Sequence, residues 1–356
     1  MSNKRGYLGL PNPKTPHVMV IFYATLSKKI FSVAALKTFL GNLLCFLITI
    51  SAYAQTTKRI TAGMNLQTEI NNAVVGDVFL VEGGNYGNLT ITKKVTLIGT
   101  GYLLTSNGVD NVSESILGVV DLKAGSESSF IAGFRTDYIY ISASNVIVAR
   151  NYARGILIGH SYSPTTPVLT DNVIAKQNYI VETMQVYGSS TNFSIKSNII
   201  YQGLHIVNAV NGILLNNTIT FGTTVLGSPL VQYKNNIFVG AGGLNVSAYV
   251  FNYNVTTGSH PGANSTNKVE VSGTELFVGY PNNPNNLGLD ARNQLATNSP
   301  AKGVGENGTD AGAFGGDEPY VLSGLPPIPI IYQLTAPSQA PQGGTLNVTI
   351  KAKTNN

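Results

Sequence analysis

NVIVARN at 145–151 returns, copy after copy, as NVIAKQN (172–178), NFSIKSN (192–198), NGILLNN (211–217), LVQYKNN (230–236) and AYVFNYN (248–254). The closing residue is always asparagine: Asn151, Asn178, Asn198, Asn217, Asn236 and Asn254, spaced by 27, 20, 19, 19 and 18 residues. A strand-like unit that repeats about every 20 residues marks a solenoid. Within each copy, period-2 alternation turns the second and fourth positions inward. The second position reads Val146, Val173, Phe193, Gly212, Val231 and Tyr249; the fourth reads Val148, Ala175, Ile195, Leu214, Tyr233 and Phe251. A third inward column, Ala153, Ile180, Ile200, Ile219, Phe238 and Thr256, is expected just past the asparagine corner. Gly212 directly above Phe193 reads as one rung yielding room to the next. Asparagine tolerates left-handed backbone angles, and its amide can bond to the asparagines above and below. The pattern therefore predicts an all-β fold, a right-handed parallel β-helix, with handedness taken from the general rule for parallel connections.

Outward from this spine, Asn65 reads as the cap of a short helix carrying Leu66, Ile70, Ala73 and Val74 on one face, which suits a lid over the first rung. In NLTITKKVTLIGTG (88–101), Leu89, Ile91, Val95 and Leu97 alternate inward, with Lys93-Lys94 at a corner. HSYSPTTPVLT (160–170) accounts for the long 27-residue step as a corner insertion. Residues 274–318 are rich in turn formers. From 319 to 356 a Pro-rich tail follows, and GGTLNVTIKAK (343–353) within it reads as a strand or half of a hairpin. The expected domains are thus 1–54, 55–318 and 319–356.

The chain has 22 Lys and Arg against 17 Asp and Glu, a formal net charge of +5. Six of the basic residues and no acid lie in 1–54, so the remaining 16 face 17 carboxylates and nucleic acid is not an expected partner. FLGNLLCFLITISAYA (39–54) is a short apolar run ending in Ala52-Tyr53-Ala54, a small-x-small pattern expected of an export signal cleaved before Gln55. The run is too short for a permanent span. The 36 residues ahead of Lys37 exceed an ordinary basic region and point to a working start downstream of Met1. Cys45 is the only cysteine, so the expected mature chain, secreted or held in the cell envelope, has neither disulfides nor a thiol site. A monomer is expected.

GDVFLVEGGNYGNLTITKKVTLIGTG (76–101) resembles the opening rungs of secreted right-handed β-helix proteins of the pectin-lyase-like superfamily. SPAKGVGENGTDAGAFGG (299–316) is similar to an ending found among members of Bacteroidetes type. With the asparagine rungs, the resemblance covers about 60–320. It implies the fold but not an activity, because that superfamily spans lyases, hydrolases, epimerases and members without assigned chemistry. The Asn-x-Asp, Asp-Asp, Gly-His-Gly and Arg-x-Lys motifs of its polygalacturonases are not reproduced; Gly159-His160-Ser161 matches one in part.

Two chemical readings remain. An acidic-polysaccharide lyase would centre on Arg150, Arg154, His160, Tyr162 and Asp171, the arginines neutralising a uronate while His160 or Tyr162 takes the C5 proton. Between 129 and 256 the only acids are Asp137, Asp171 and Glu182, which leaves material for at most a thin Ca2+ site. Asp137 and Arg154 are also expected to form a rung-to-rung ion pair. The alternative is a polysaccharide-binding or structural role without catalysis and without a cofactor. Lys176, Lys196 and Lys234 share one outward position, a stripe suited to an anionic polysaccharide, although outward lysines also keep a β-wall soluble. Tyr138 and Tyr140 add sugar-stacking rings near the insertion. A surface or adhesion module whose tail engages another domain is a third reading.

Overall fold

The computed structural model describes residues 55–353, apart from 110–111, 163–166, 189, 228–229, 241–244, 247–249, 259–265, 280–281, 284, 338 and 340–341. Residues 1–54, where the export signal is expected and where Cys45 lies, and Tyr249 are outside the described residues. Rungs about 19 residues apart stack into a parallel β-solenoid of about nine turns. A short wall contains ten strands in chain order, from Thr57–Ile60 through Ile147–Ala149 and Ser194–Lys196 to Phe251–Asn252. A long wall of twelve strands includes Arg135–Ile141, Tyr152–Ile158, Tyr179–Val186, Ile199–Val207 and Thr218–Gly227. Thr170–Asp171 and Ser190–Thr191 pair as a fragment of a third side. Strand pairing within the walls is parallel.

The predicted inward columns are in register: Val148, Ala175, Ile195, Leu214, Tyr233 and Phe251 stack rung on rung. So do Ala153, Ile180, Ile200, Ile219, Phe238 and Thr256. All of these side chains are buried. Phe193 fills the space beneath Gly212, where a Cβ would sit only 2.0 Å from the Phe193 ring. The helix Leu66–Asn71 covers the first turn with Leu66 and Ile70 buried, and the Asn65 side chain accepts from the Thr68 N–H at 2.9 Å. Lys93 donates to the Asn71 and Ala73 carbonyls at the other end of this helix, where the last carbonyls lack intrahelical partners.

The asparagine corner is a ladder of two bonds per step. The backbone N–H and the side-chain amide of Asn178 both donate to Asn198 Oδ1, each at 2.9 Å. The same pair links Asn198 to Asn217, Asn217 to Asn236 and Asn236 to Asn254 at 2.9–3.0 Å. The ladder runs one step further than the repeat predicts, with Asn254 donating to Asn267 Oδ1. One expectation is corrected. The left-handed angle does not fall on the ladder residue but on the one before it: Arg150, Gln177, Ser197, Asn216, Asn235 and Tyr253 have φ between 54° and 59°. This single twist turns the ladder amide inward and the preceding side chain outward. The opening residues Asn145, Asn172, Asn192 and Asn211 are left-handed too, which is where asparagine's tolerance is used.

After the last rung the chain turns back and runs along this corner toward the first rungs. Ala311 packs with Ile237 and Val239, Ala313 and Tyr320 with Tyr102, Tyr179 and Ile199, and Leu325 with Leu104 and Val109. The packing continues past the expected boundary at 318 as far as Leu325. A buried knot fastens it: Tyr320 and Tyr102 share a hydroxyl bond, and Asp290 accepts from the Ser323 N–H at 2.7 Å and from Asn107 at 2.9 Å. Beyond it, Ile330–Thr335 and Thr349–Lys353 form an antiparallel hairpin. Among the described residues no helix is long and apolar enough to cross a membrane.

Candidate functional site

The side chains that the left-handed corner turns outward are capped by the returning segment. Arg150 donates to the Leu325 carbonyl at 3.0 Å and to Gln177 at 2.9 Å; Gln177 donates to the Pro319 carbonyl at 2.6 Å. Asn216 donates to the Asp310 carbonyl, and Asn235 accepts from the Glu306 N–H. The same segment covers the lysine stripe. Lys176, Lys196, Leu215 and Lys234 do form one outward column, but Glu318 bridges Lys176 (2.5 Å) and Lys196, and Glu306 takes Lys234 at 3.2 Å. The three lysines are thus held by carboxylates of their own chain.

Hydrogen bonds from Lys176 and then Lys196 hold the Glu318 carboxyl down at about 2, against an ordinary value near 4.5. A depressed carboxyl contributes stability above its unfolded pKa, and that contribution fades as pH falls toward its folded value. The wild-type melting temperature should therefore drop more steeply between about pH 4.5 and pH 2 than that of Glu318→Gln. The difference should be modest, because the group is partly exposed and screened. Parallel melting curves that keep a constant offset through this window would show that the bridge does not stabilise the closed segment.

The lyase candidates do not converge. Arg150 lies on one side of Asn151, beneath the returning segment, and His160 lies beyond the far end of the strand Tyr152–Ile158. Nine residues of nearly extended chain separate their positions on order of 30 Å of contour. Asp171 sits on the third side, where Thr191 and Asn192 donate to it at 2.6 Å and lower its pKa. The expected Asp137–Arg154 pair is also replaced. Arg154 pairs with Glu182 of the next rung, through Nε at 2.9 Å and Nη2 at 2.7 Å. The cause is an irregularity in the long wall: register shifts between Ala153 and Gly155, so that Val181 and Glu182 lie opposite Arg154 alone. Asp137, Asp171 and Glu182 consequently do not gather, and no group of three or more metal-ligating side chains occurs among the described residues.

What does gather is a strip of rings on the outer face of the long wall. Tyr138 and Tyr140 lie 6.2 Å apart, Tyr140 and Tyr162 5.2 Å, Tyr140 and His160 5.9 Å, and His160 and Tyr187 4.6 Å between centroids. Tyr162 is 45% exposed and the other four rings are half-buried, so each presents part of its surface to solvent. Local causes fix them. Gly155 leaves space for the Tyr138 ring, whose atoms stand 2.7 Å from where a Cβ would be. Tyr138 donates to Glu182 at 2.5 Å with Arg154 over its ring, and the Tyr162 N–H donates to Asp121. Tyr187 donates to Gln185 Oε1 at 2.8 Å. Beside Tyr187 a cavity of about 360 Å³ opens between Gln185, His205 and Asn208. Of these, Tyr187 and the cavity escaped sequence reading, since Tyr187 follows its strand and shares no repeat position with Tyr138 or Tyr140.

Three phenols on this face are shifted upward: Tyr138 first by its bond to Glu182, Tyr140 and Tyr187 first by burial. They remain protonated donors at neutral pH. His160 Nδ1 is buried without a hydrogen-bond partner among the described residues.

Comparison of the chain with protein-family models, with curated proteins and with solved structures found no match.

Proposed function

We propose that this protein binds glycans without cleaving them, using the ring strip Tyr138, Tyr140, His160, Tyr162 and Tyr187 on the long wall. The reading includes export, with the mature chain beginning at Gln55, and it keeps the resemblance to the pectin-lyase-like superfamily as the source of its carbohydrate context. The observation that carries it is the run of five neighbouring, partly exposed rings, Tyr138 and Tyr140 on a long-wall strand and His160, Tyr162 and Tyr187 just past strand ends. Aromatic faces present apolar area at little entropic cost and pair naturally with the C–H faces of sugars, while phenol edges serve hydroxyls. Arg150 lies beneath the returning segment, Asp171 on the third side and Arg154 against Glu182, away from a lyase arrangement around His160 and Tyr162, which sets binding ahead of the lyase alternative.

Affinity electrophoresis of the purified protein through gels containing soluble polysaccharides tests the proposal. At least one polysaccharide should retard the wild type, and Tyr140→Ala, which removes the ring contacting Tyr138, His160 and Tyr162, should weaken that binding roughly tenfold. Equal retardation of the variant would remove the strip as the binding surface.

A further inference from the structure

We infer that the glycan bound by this face is electrically neutral, and that it runs along the solenoid axis with one sugar seated in the cavity at Gln185, Tyr187, His205 and Asn208. The inference rests on the glycan-binding reading and adds the ligand class and its direction.

Charge argues for the class. The five long-wall strands between Arg135 and Gly227 carry only Arg135, Asp137, Arg154 and Glu182, two cations and two anions. Both cations are engaged. Arg154 gives Nε and Nη2 to one oxygen of Glu182, and Arg135 pairs with Glu114 at 3.4 Å while lying over the Tyr152 ring. Asp137 is exposed and has no ion-pair partner among the described residues. An acidic sugar laid on this face would have to break an arginine pair and approach the exposed Asp137 carboxylate. The chain's other row of cations is closed off by Glu306 and Glu318.

The layout of the rings argues for the direction. Tyr138 and Tyr140 belong to one rung, His160 and Tyr162 follow the next strand, Tyr187 follows the third, and His205 and Asn208 come from the fourth. Three rung steps of ~4.8 Å cover on the order of 14 Å, the length of a short oligosaccharide. The cavity at the end of this path, about 360 Å³, falls within the range of small-ligand sites. Its lining carries no carboxylate, lysine or arginine, and the amides of Gln185 and Asn208 and the Tyr187 phenol offer hydrogen bonds. Gln185 is oriented by its neighbours, accepting from Tyr187 and donating to Thr183 at 3.0 Å, and it retains a second N–H and a second lone pair for a hydroxyl.

Calorimetric titration of the purified protein with cellohexaose, xylohexaose, mannohexaose, maltohexaose and hexagalacturonate, at low and high salt, separates the possibilities. A neutral hexasaccharide should bind with an affinity insensitive to salt, and Gln185→Ala should weaken it roughly tenfold by removing its cavity hydrogen bonds. Tighter binding of hexagalacturonate, lost at high salt, would overturn the neutral class while leaving a glycan-binding face in place. Unchanged affinity in Gln185→Ala would overturn the cavity as a subsite. Failure of all five to bind would instead count against the glycan reading itself, and this inference would fall with it.

Discussion

Asn198→Ala should lower stability by on the order of 3–5 kcal/mol, among the largest losses expected from a single side-chain truncation in the spine. Asn198 is fully buried. Its Oδ1 accepts the Asn178 backbone N–H and side-chain amide, and its own amide donates to the Ala175 and Lys196 carbonyls and to Asn217 Oδ1. Alanine leaves the Asn178 N–H without its acceptor in a place water does not reach, and an orphaned buried donor costs about 1–3 kcal/mol by itself. The lost amide bonds account for the rest. Asn198→Asp is nearly isosteric but acceptor-only, so it sets a carboxylate against two carbonyls and an amide oxygen. It should be at least as damaging. Urea unfolding followed by circular dichroism measures both, and a loss below about 1 kcal/mol in either would mean the ladder is an ornament of the corner.

Gly212→Ala should cost about 1–3 kcal/mol or somewhat more, a large effect for one methyl group. The added Cβ would meet the Phe193 ring at 2.0, 2.3 and 2.5 Å, and that ring is itself enclosed by the solenoid core. Neither rung can shift alone, because each is bonded in register to the other through Ser194–Ile213 and Ile195–Leu214. Shrinking the ring should relieve the clash. Phe193→Leu combined with Gly212→Ala should therefore be less destabilised than the sum of the two single variants, with a coupling of about 0.5–3 kcal/mol. Simple additivity would show that the ring had somewhere else to go.

These two positions also show what a sequence makes plain. The volume trade between Phe193 and Gly212, the three inward columns and the asparagine ladder all follow from a short period and strict alternation, so aligning the copies is enough to find them. The returning segment is different. Residues 290–325 have no period, and their contacts lie far away in sequence, as with Tyr320 on Tyr102 and Glu318 on Lys176. A hint was present in the corner residues before each ladder asparagine. Arg150, Gln177, Ser197, Asn216 and Asn235 are polar and strained into left-handed angles, and all five are buried, so their outward groups require a cover. The lysine stripe carried a second hint, since between Asp171 and Thr256 the only other acid is Glu182, which lies on the long wall rather than beside the lysines.

The candidate site was half legible. Tyr138 and Tyr140 were expected near the insertion that holds His160 and Tyr162, and the four rings do lie together, but grouping His160 and Tyr162 with Arg150 ignored the length of strand between the two ends of a rung. The break in register that swings Arg154 onto Glu182 leaves no mark in the alternation pattern, because both residues remain outward in either register. The face therefore emerges only when Arg154, its carboxylate and the Tyr138 ring are seen together.

Hydroxyl-radical footprinting read by mass spectrometry tests the binding face most directly, because oxidation reports on side chains rather than on already protected sheet amides. With the tightest-binding neutral hexasaccharide added to the purified protein, Tyr138, Tyr140, Tyr162 and Tyr187 should oxidise more slowly, while half-exposed Tyr253 at the far end of the spine should not change. Protection of residues around Lys196, Leu215 and Lys234 with the four tyrosines unaffected would contradict the account and return the binding surface to the lysine stripe.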